Sequence, residues 1–351
     1  MKQTYILTSL LCLTVLLMPG CTSPIGSGDD PSPSTLAINF GTPQADTRAA
    51  VNSSADMGEF SVWGWYGKDD TNSYNVFDNE TVSRSDNSWD YTGGTRYWIP
   101  GYEYNFYGVY PVKIGSCTAN GLITVNNFDC SNFGENAVDL MTATANRTLS
   151  NPIQDDESSA VAMEFKHTLT RIVFSAKLAN GLDNGYSLQV NEIALWASNI
   201  GTMTQDMSQP DSQPVWITEP YLHDGDDEGD INEEYNAYLY RLTTADGALQ
   251  SAPIPTGDAV LLNLTEKGDL LVIPQKMSET RPVLAINYTL SYGGSTTSSI
   301  WKVYPLKGNI DWTPGASLNY TFTIDEDNAY FNISVGDWID GNSGNEDVEF
   351  N

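Results

Sequence analysis

Apolar residues in this chain recur in short alternating runs, separated by clusters of Gly, Pro, Asn, Asp and Ser. Leu36–Phe40, Phe60–Tyr66, Asn105–Tyr110, Ala160–Leu178 and Ser187–Trp196 are examples. Period-two alternation over runs of this length gives half-buried strands, and the spacing of turn residues between them indicates β-sandwiches. No window carries a sustained apolar stripe of 3.6-residue period, so helix bundles and coiled coils are excluded. Aromatic residues make up 11% of the chain, with 19 Tyr and 9 Trp, while charged residues are only 17%. That balance suits sheets with one wet face. The expected fold is all-β, with two tandem antiparallel β-sandwich domains.

The N-terminus, MKQTYILTSLLCLTVLLMPGC, has an early Lys2, a short apolar run over Ile6–Leu17 and a small residue before Cys21. This is the pattern of a secretory signal ending in a lipidation site. The run is too short to cross a bilayer with ease. Residues 1–20 are therefore read as a signal peptide. Cys21 is read as the acylated residue of an exported protein, and 21–35 as a lipidated tether rich in Ser, Pro, Gly and Asp.

The net charge is −29, from 16 basic and 45 acidic residues. Nucleic acid is excluded as a partner, because phosphate neutralisation requires clustered Lys and Arg. Cys117 and Cys130 flank the strand-like GLITV, and in an oxidising compartment they are candidates for a hairpin disulfide. The alternative is a pair of buried free thiols.

The polar stretch 146–159 divides the strand series, giving an N-terminal sandwich over 36–157 and a C-terminal one over 158–351. The segment HDGDDEGDINEEY (223–235) gathers seven carboxylates. Asp224, Asp226 and Glu228 have the spacing of a calcium loop, but position twelve is Tyr235 rather than Glu, which favours a solvated acidic loop. The aromatic clusters Trp63, Trp65, Tyr66 and Tyr97, Trp98, Tyr102, Tyr104 are candidates for stacking on sugar rings, against the plainer reading of core packing. His167 lies in an alternating strand and reads as structural. No Ser/His/Asp or Cys/His arrangement is evident, so no enzyme activity and no cofactor is expected.

An ordered series of segments carries a resemblance. After the lipidation site comes a Thr47-Arg48-Ala49 loop behind the first strand. Then follow YWIPGYEYNFYGVYP (97–111), VDLMTATA (138–145), FKHTLTRIVFSAKL (165–178), LLVIPQKM (270–277), INYTLSY (286–292), WTPGASLNYTFTI (312–324) and ISVGDWIDG (333–341). The chain resembles the fimbrillin family, the Mfa-like lipoprotein pilins of type V pili in Bacteroides-type bacteria.

The resemblance implies an outer-membrane lipoprotein that reaches the cell surface and is built into a fimbrium. It implies a cut by a basic-specific protease between Arg48 and Ala49, loss of the first strand (Leu36, Ile38, Phe40), and its replacement by a strand from another pilin. Arg48 is the only Arg or Lys between Lys2 and Lys68. Leu36, Ile38 and Phe40 alternate with Ala37 and Asn39, so all three are expected to point into the core. Only the short acidic NSGNEDVEFN (342–351) follows the DWIDG turn. As a poor donor strand, it favours a tip or accessory position, with a host or glycan ligand as a further partner. The alternative function is a monomeric, surface-anchored glycan-binding lipoprotein.

Overall fold

Alternation along the N-terminal half produces a sheet with two buried faces. The structure, a computed structural model, describes residues 34–41, 44–45, 57–85, 88–180, 182, 185–209, 211–218, 239–254, 257–264, 270–306, 308–326, 328–337 and 346–349. Cys21, Arg48, Ala49 and the acidic residues Asp224, Asp226 and Glu228 lie outside them.

The central sheet has seven strands. Across it run β1 (Gln44–Ala45), β9 (Glu164–His167), β8 (Met141–Thr148), β5 (Glu103–Tyr110), β2 (Glu59–Gly67), β3 (Tyr74–Ser85) and β4 (Ser88–Tyr91). Phe60 and Val62 on β2 and Tyr104 and Phe106 on β5 supply one core. Trp63 and Trp65 on β2 and Tyr107 and Val109 on β5 supply another. The second core is shared with a four-stranded sheet of β13 (Val215–Thr218), β12 (Ile200–Asp206), β7 (Leu122–Asp129) and β6 (Gly115–Cys117). Ile123, Val125 and Met203 are the inward residues of that sheet.

The C-terminal half is a sandwich about a third core. One sheet orders β15 (Val260–Leu261), β10 (Thr170–Leu178), β20 (Ala316–Ile324), β21 (Ala329–Asp337) and β22 (Glu346–Glu349), with β16 (Leu270–Val272) also on β10. The other orders β14 (Leu239–Thr243), β11 (Tyr186–Trp196), β17 (Val283–Tyr292) and β18 (Ser295–Thr296), with β19 (Ile300–Pro305) also on β17. Phe174, Tyr320 and Phe322 meet Leu195, Ile286 and Tyr288 between them. The pairings β1–β9 and β10–β20 are parallel; the others are antiparallel.

The all-β expectation holds, but the sheets do not divide at 157/158. β9 closes the seven-stranded sheet, and β12, from still later in the chain, pairs with β7 through Ile200↔Asp129 to Asp206↔Leu122. β16 faces both ways, with Leu270 and Val272 in the C-terminal core and Leu271 in the core beneath the four-stranded sheet. Residues Pro33–Asn351 accordingly form one compact unit. The polar stretch after Arg147 is a loop between two neighbouring strands of one sheet.

Candidate functional site

The chain segment ahead of β1 lies over the face of the seven-stranded sheet opposite the four-stranded one. It is hydrogen-bonded on both sides. On one side it runs antiparallel to residues 96–98: Ser34 N–H donates to Trp98 O (2.8 Å), Trp98 N–H to Leu36 O (3.0 Å) and Ile38 N–H to Arg96 O (2.8 Å). On the other it runs parallel to the residues before β9: Val161 N–H donates to Asn39 O (2.8 Å) and Gly41 N–H to Val161 O (2.9 Å). The parallel path continues into β1, where Gln44 pairs with Glu164 and Ala45 with Phe165. The element is therefore an inserted strand with two neighbours, and its bonds reach further than Leu36–Phe40, from Ser34 to Gly41, with β1 beyond it on β9. Everything in it precedes Arg48.

Its side chains fill the sheet's core. Ile38 is fully buried and Phe40 is 4% exposed. The Phe40 ring lies 5.4 Å from Phe77, 5.9 Å from Phe60, 6.0 Å from Phe106 and 6.1 Å from Tyr91, each edge-on. Edge-to-face contacts at these distances are favourable beyond simple burial. Gly64 allows the pocket to close, because a Cβ there would come within 3.0 Å of the Phe77 and Phe106 rings. Burial of Ile38 and Phe40 is worth about 1.5–3 kcal/mol each.

Leu36 departs from the expected alternation and is 42% exposed. The strand has reached the rim of the sheet there: Leu36 N–H donates to Ser34 Oγ (3.1 Å) instead of extending the ladder.

Beside Ile38 the ladder is interrupted by a side chain. Arg96 N–H donates to the Tyr91 hydroxyl (3.1 Å), which in turn donates to Ile38 O (2.9 Å). The Arg96 guanidinium is fixed on the other side by Val76 O (2.8 Å), Gly94 O (2.8 Å) and the Glu80 carboxylate (3.0 Å). It also lies over the rings of Phe77 and Tyr91, at 4.8 and 5.2 Å. Burial raises the Tyr91 hydroxyl above its usual phenol range, so it stays a donor. No motif marks Tyr91, Arg96 or Glu80 in the sequence, and Val161 is marked only as part of the alternating run Ala160–Leu178.

Other expectations are corrected by the geometry. Cys117 and Cys130 are free thiols. Cys117 sits opposite Ile123 at the start of β7, while Cys130 lies seven residues beyond Ile123, past its end. At ~3.3 Å per residue the two are roughly 20 Å apart along the strand, far outside the ~7 Å a disulfide allows. Burial pushes the Cys117 thiol up to about 12 and raises that of Cys130 as well. Of the aromatic clusters, Trp63, Trp65, Trp98, Tyr102 and Tyr104 are buried, and Tyr66 is stacked on Tyr74 and Tyr104. Tyr97 alone stands well exposed among them, at 44%. Apart from Tyr97, these aromatics build the core. No metal-holding group of side chains occurs among the described residues.

The chain is similar to known proteins in family and in fold. A family model described as fimbrillin-like matches residues 47–338. A fimbrial protein from Bacteroides vulgatus is similar in structure at TM-score 0.55 and 18% identity, over 86% of this chain and 99% of that one. A putative cell adhesion protein from Bacteroides ovatus aligns at TM-score 0.45 and 14% identity, over 90% of this chain and all of the other. No curated protein matches the chain.

Proposed function

The chain belongs to the fimbrillin-like family, and from that premise we propose that it is a tip or accessory subunit of a fimbrium, assembled by strand exchange after proteolysis. It is a structural protein of a cell-surface appendage rather than an enzyme. In this reading it is exported as an outer-membrane lipoprotein on Cys21, and a basic-specific protease cuts between Arg48 and Ala49. The segment from Ser34 to Ala45 then leaves, and a strand from another pilin takes its place. Backbone hydrogen bonds supply the affinity of such strand addition and side-chain pockets supply its selectivity.

One observation carries the proposal. A strand bonded on both sides, with Ile38 and Phe40 in the core, is joined to the rest of the chain just upstream of an isolated Arg48. Cutting the chain there would leave the strand attached by non-covalent contacts alone. Its departure would open an apolar slot lined by unpaired backbone groups, a state that recruits another strand. The tip or accessory position is supported by β22, which pairs with its own chain through Ile333↔Val348 and Ser334↔Asp347. To act as a donor, that segment would first have to leave β21. Adhesion to a host or glycan ligand is the role such a position offers.

Limited tryptic digestion of the folded protein tests the maturation step. The expected result is one dominant early cut, a new N-terminus at Ala49 and the appearance of oligomers. Cutting first at another Lys or Arg, with Arg48 resistant, would overturn the assignment.

A further inference from the structure

The groove around the inserted strand holds its two enclosed side chains by different means. At Phe40 the constraint is shape, with four aromatic rings around one. At Ile38 the side chain is fully buried, and the backbone is also held by an arrangement a plain ladder would lack. With Ala37 opposite Tyr97, a regular antiparallel pair would bring Arg96 N–H directly to Ile38 O. Here the Tyr91 hydroxyl stands between them, accepting from Arg96 and donating to Ile38.

That hydroxyl belongs to the groove and not to the strand. Tyr91 ends β4, and its ring packs on Phe77 at 5.0 Å. Arg96 is anchored through Val76 and Glu80, both on β3. Gly93 lets the chain pass the ion pair, since a Cβ there would come within 2.3 Å of the Glu80 carboxylate.

We propose that the Tyr91 hydroxyl and the four-ring pocket together fix the register of any strand occupying this groove. They select a partner segment with an aliphatic residue followed, two positions later, by an aromatic one. The inference rests on the strand-exchange reading above.

The two devices exclude different errors. A slip of one residue turns every side chain to the opposite face and removes the carbonyl from the tyrosine hydroxyl. A slip of two restores the backbone match but leaves the ring pocket with the wrong residue. Direction is set by the neighbours, antiparallel to 96–98 and parallel to Val161. A segment spacing its aliphatic and aromatic residues by three positions can seat its ring in the pocket only by placing another residue at the buried Ile38 position.

The test uses protein nicked at Arg48 and fluorescent peptides that displace the N-terminal segment. The reference peptide is STLAINFGTPQA, residues 34–45. A second carries Ala in place of Phe40, and a third has one Ser inserted between the Ile38 and Phe40 positions. The expected result is uptake of the reference peptide, with the other two at least about tenfold weaker. The Tyr91→Phe variant should bind the reference peptide about five- to tenfold more weakly. An ester in place of the Ile38–Asn39 amide makes the Ile38 carbonyl a poorer acceptor, and should weaken the peptide less on Tyr91→Phe than on the unaltered protein. A purely structural role for Tyr91 would make the ester cost the same on both proteins and would overturn the assignment to the hydroxyl. Equal uptake of all three peptides by unaltered protein would overturn the selection of register, while leaving strand exchange intact. If no peptide enters the nicked protein, strand exchange itself fails, and this inference with it.

Discussion

Ile38→Asp is expected to destabilise the intact protein by about 4–6 kcal/mol, combining lost apolar burial with the cost of a carboxyl group in the core. Ile38 is fully buried, in the same core as the rings of the seven-stranded sheet. Leu36→Asp, two residues earlier and half-exposed, should cost less than about 1 kcal/mol. The contrast matters because the residues share a parity and an alternation argument alone treats them alike. Urea melts of both variants, followed by tryptophan fluorescence, are the measurement. Equal midpoints for Ile38→Asp and the unaltered protein would remove the strand from the core.

The second large effect lies at a buried pair outside the groove. Asp139, just before β8, is fully buried, and its carboxylate meets His167 Nδ1 on β9 at 2.6 Å. The two residues come from VDLM and FKHT, segments 28 apart in sequence that pair as adjacent strands through Met141↔His167. His167→Ala removes one partner and leaves a carboxyl group in the interior, which is expected to cost about 3–5 kcal/mol. His167→Gln, which can still donate a hydrogen bond, should recover much of that loss. A thermal melt of the two variants checks this. Equal losses for Ala and Gln would mean that packing of the imidazole, rather than its bond to Asp139, is what stabilises β8 against β9.

Much of this could be read from residue order. The all-β class, the run Phe60–Tyr66 that became β2, and the inward placement of Ile38 and Phe40 all follow from period-two alternation, which the sheets obey locally. Two kinds of feature were not legible. One is long-range pairing. β8 ends in the polar residues Asn146, Arg147 and Thr148, which read as a linker, yet they complete a ladder against Glu103, Tyr104 and Asn105. Pairing with β5 overrides their low strand propensity. β12 likewise alternates well, but nothing local indicates that it joins β7 across the expected domain boundary.

The other kind is side chains whose role depends on a backbone neighbour. Tyr91 follows a turn-like SDNSW segment, and Arg96 precedes an aromatic pair. Neither carries a motif, and their value lies in Ile38 O being within reach. The cysteine pair misled for the same reason. Thirteen positions suit a hairpin closed at its centre, whereas here the turn lies next to Cys117, as the pairing Cys117↔Ile123 shows.

Strand replacement is tested most directly by hydrogen–deuterium exchange at two amides, Trp98 and Val161. Their N–H groups donate to Leu36 O and Asn39 O, one on each side of the inserted strand. Both should be protected in the intact protein. Both should lose protection once the chain is cut at Arg48 and the N-terminal segment is removed, and regain it when a peptide of residues 34–45 is added. Protection that survives loss of the segment would mean the groove closes on itself, contradicting the account.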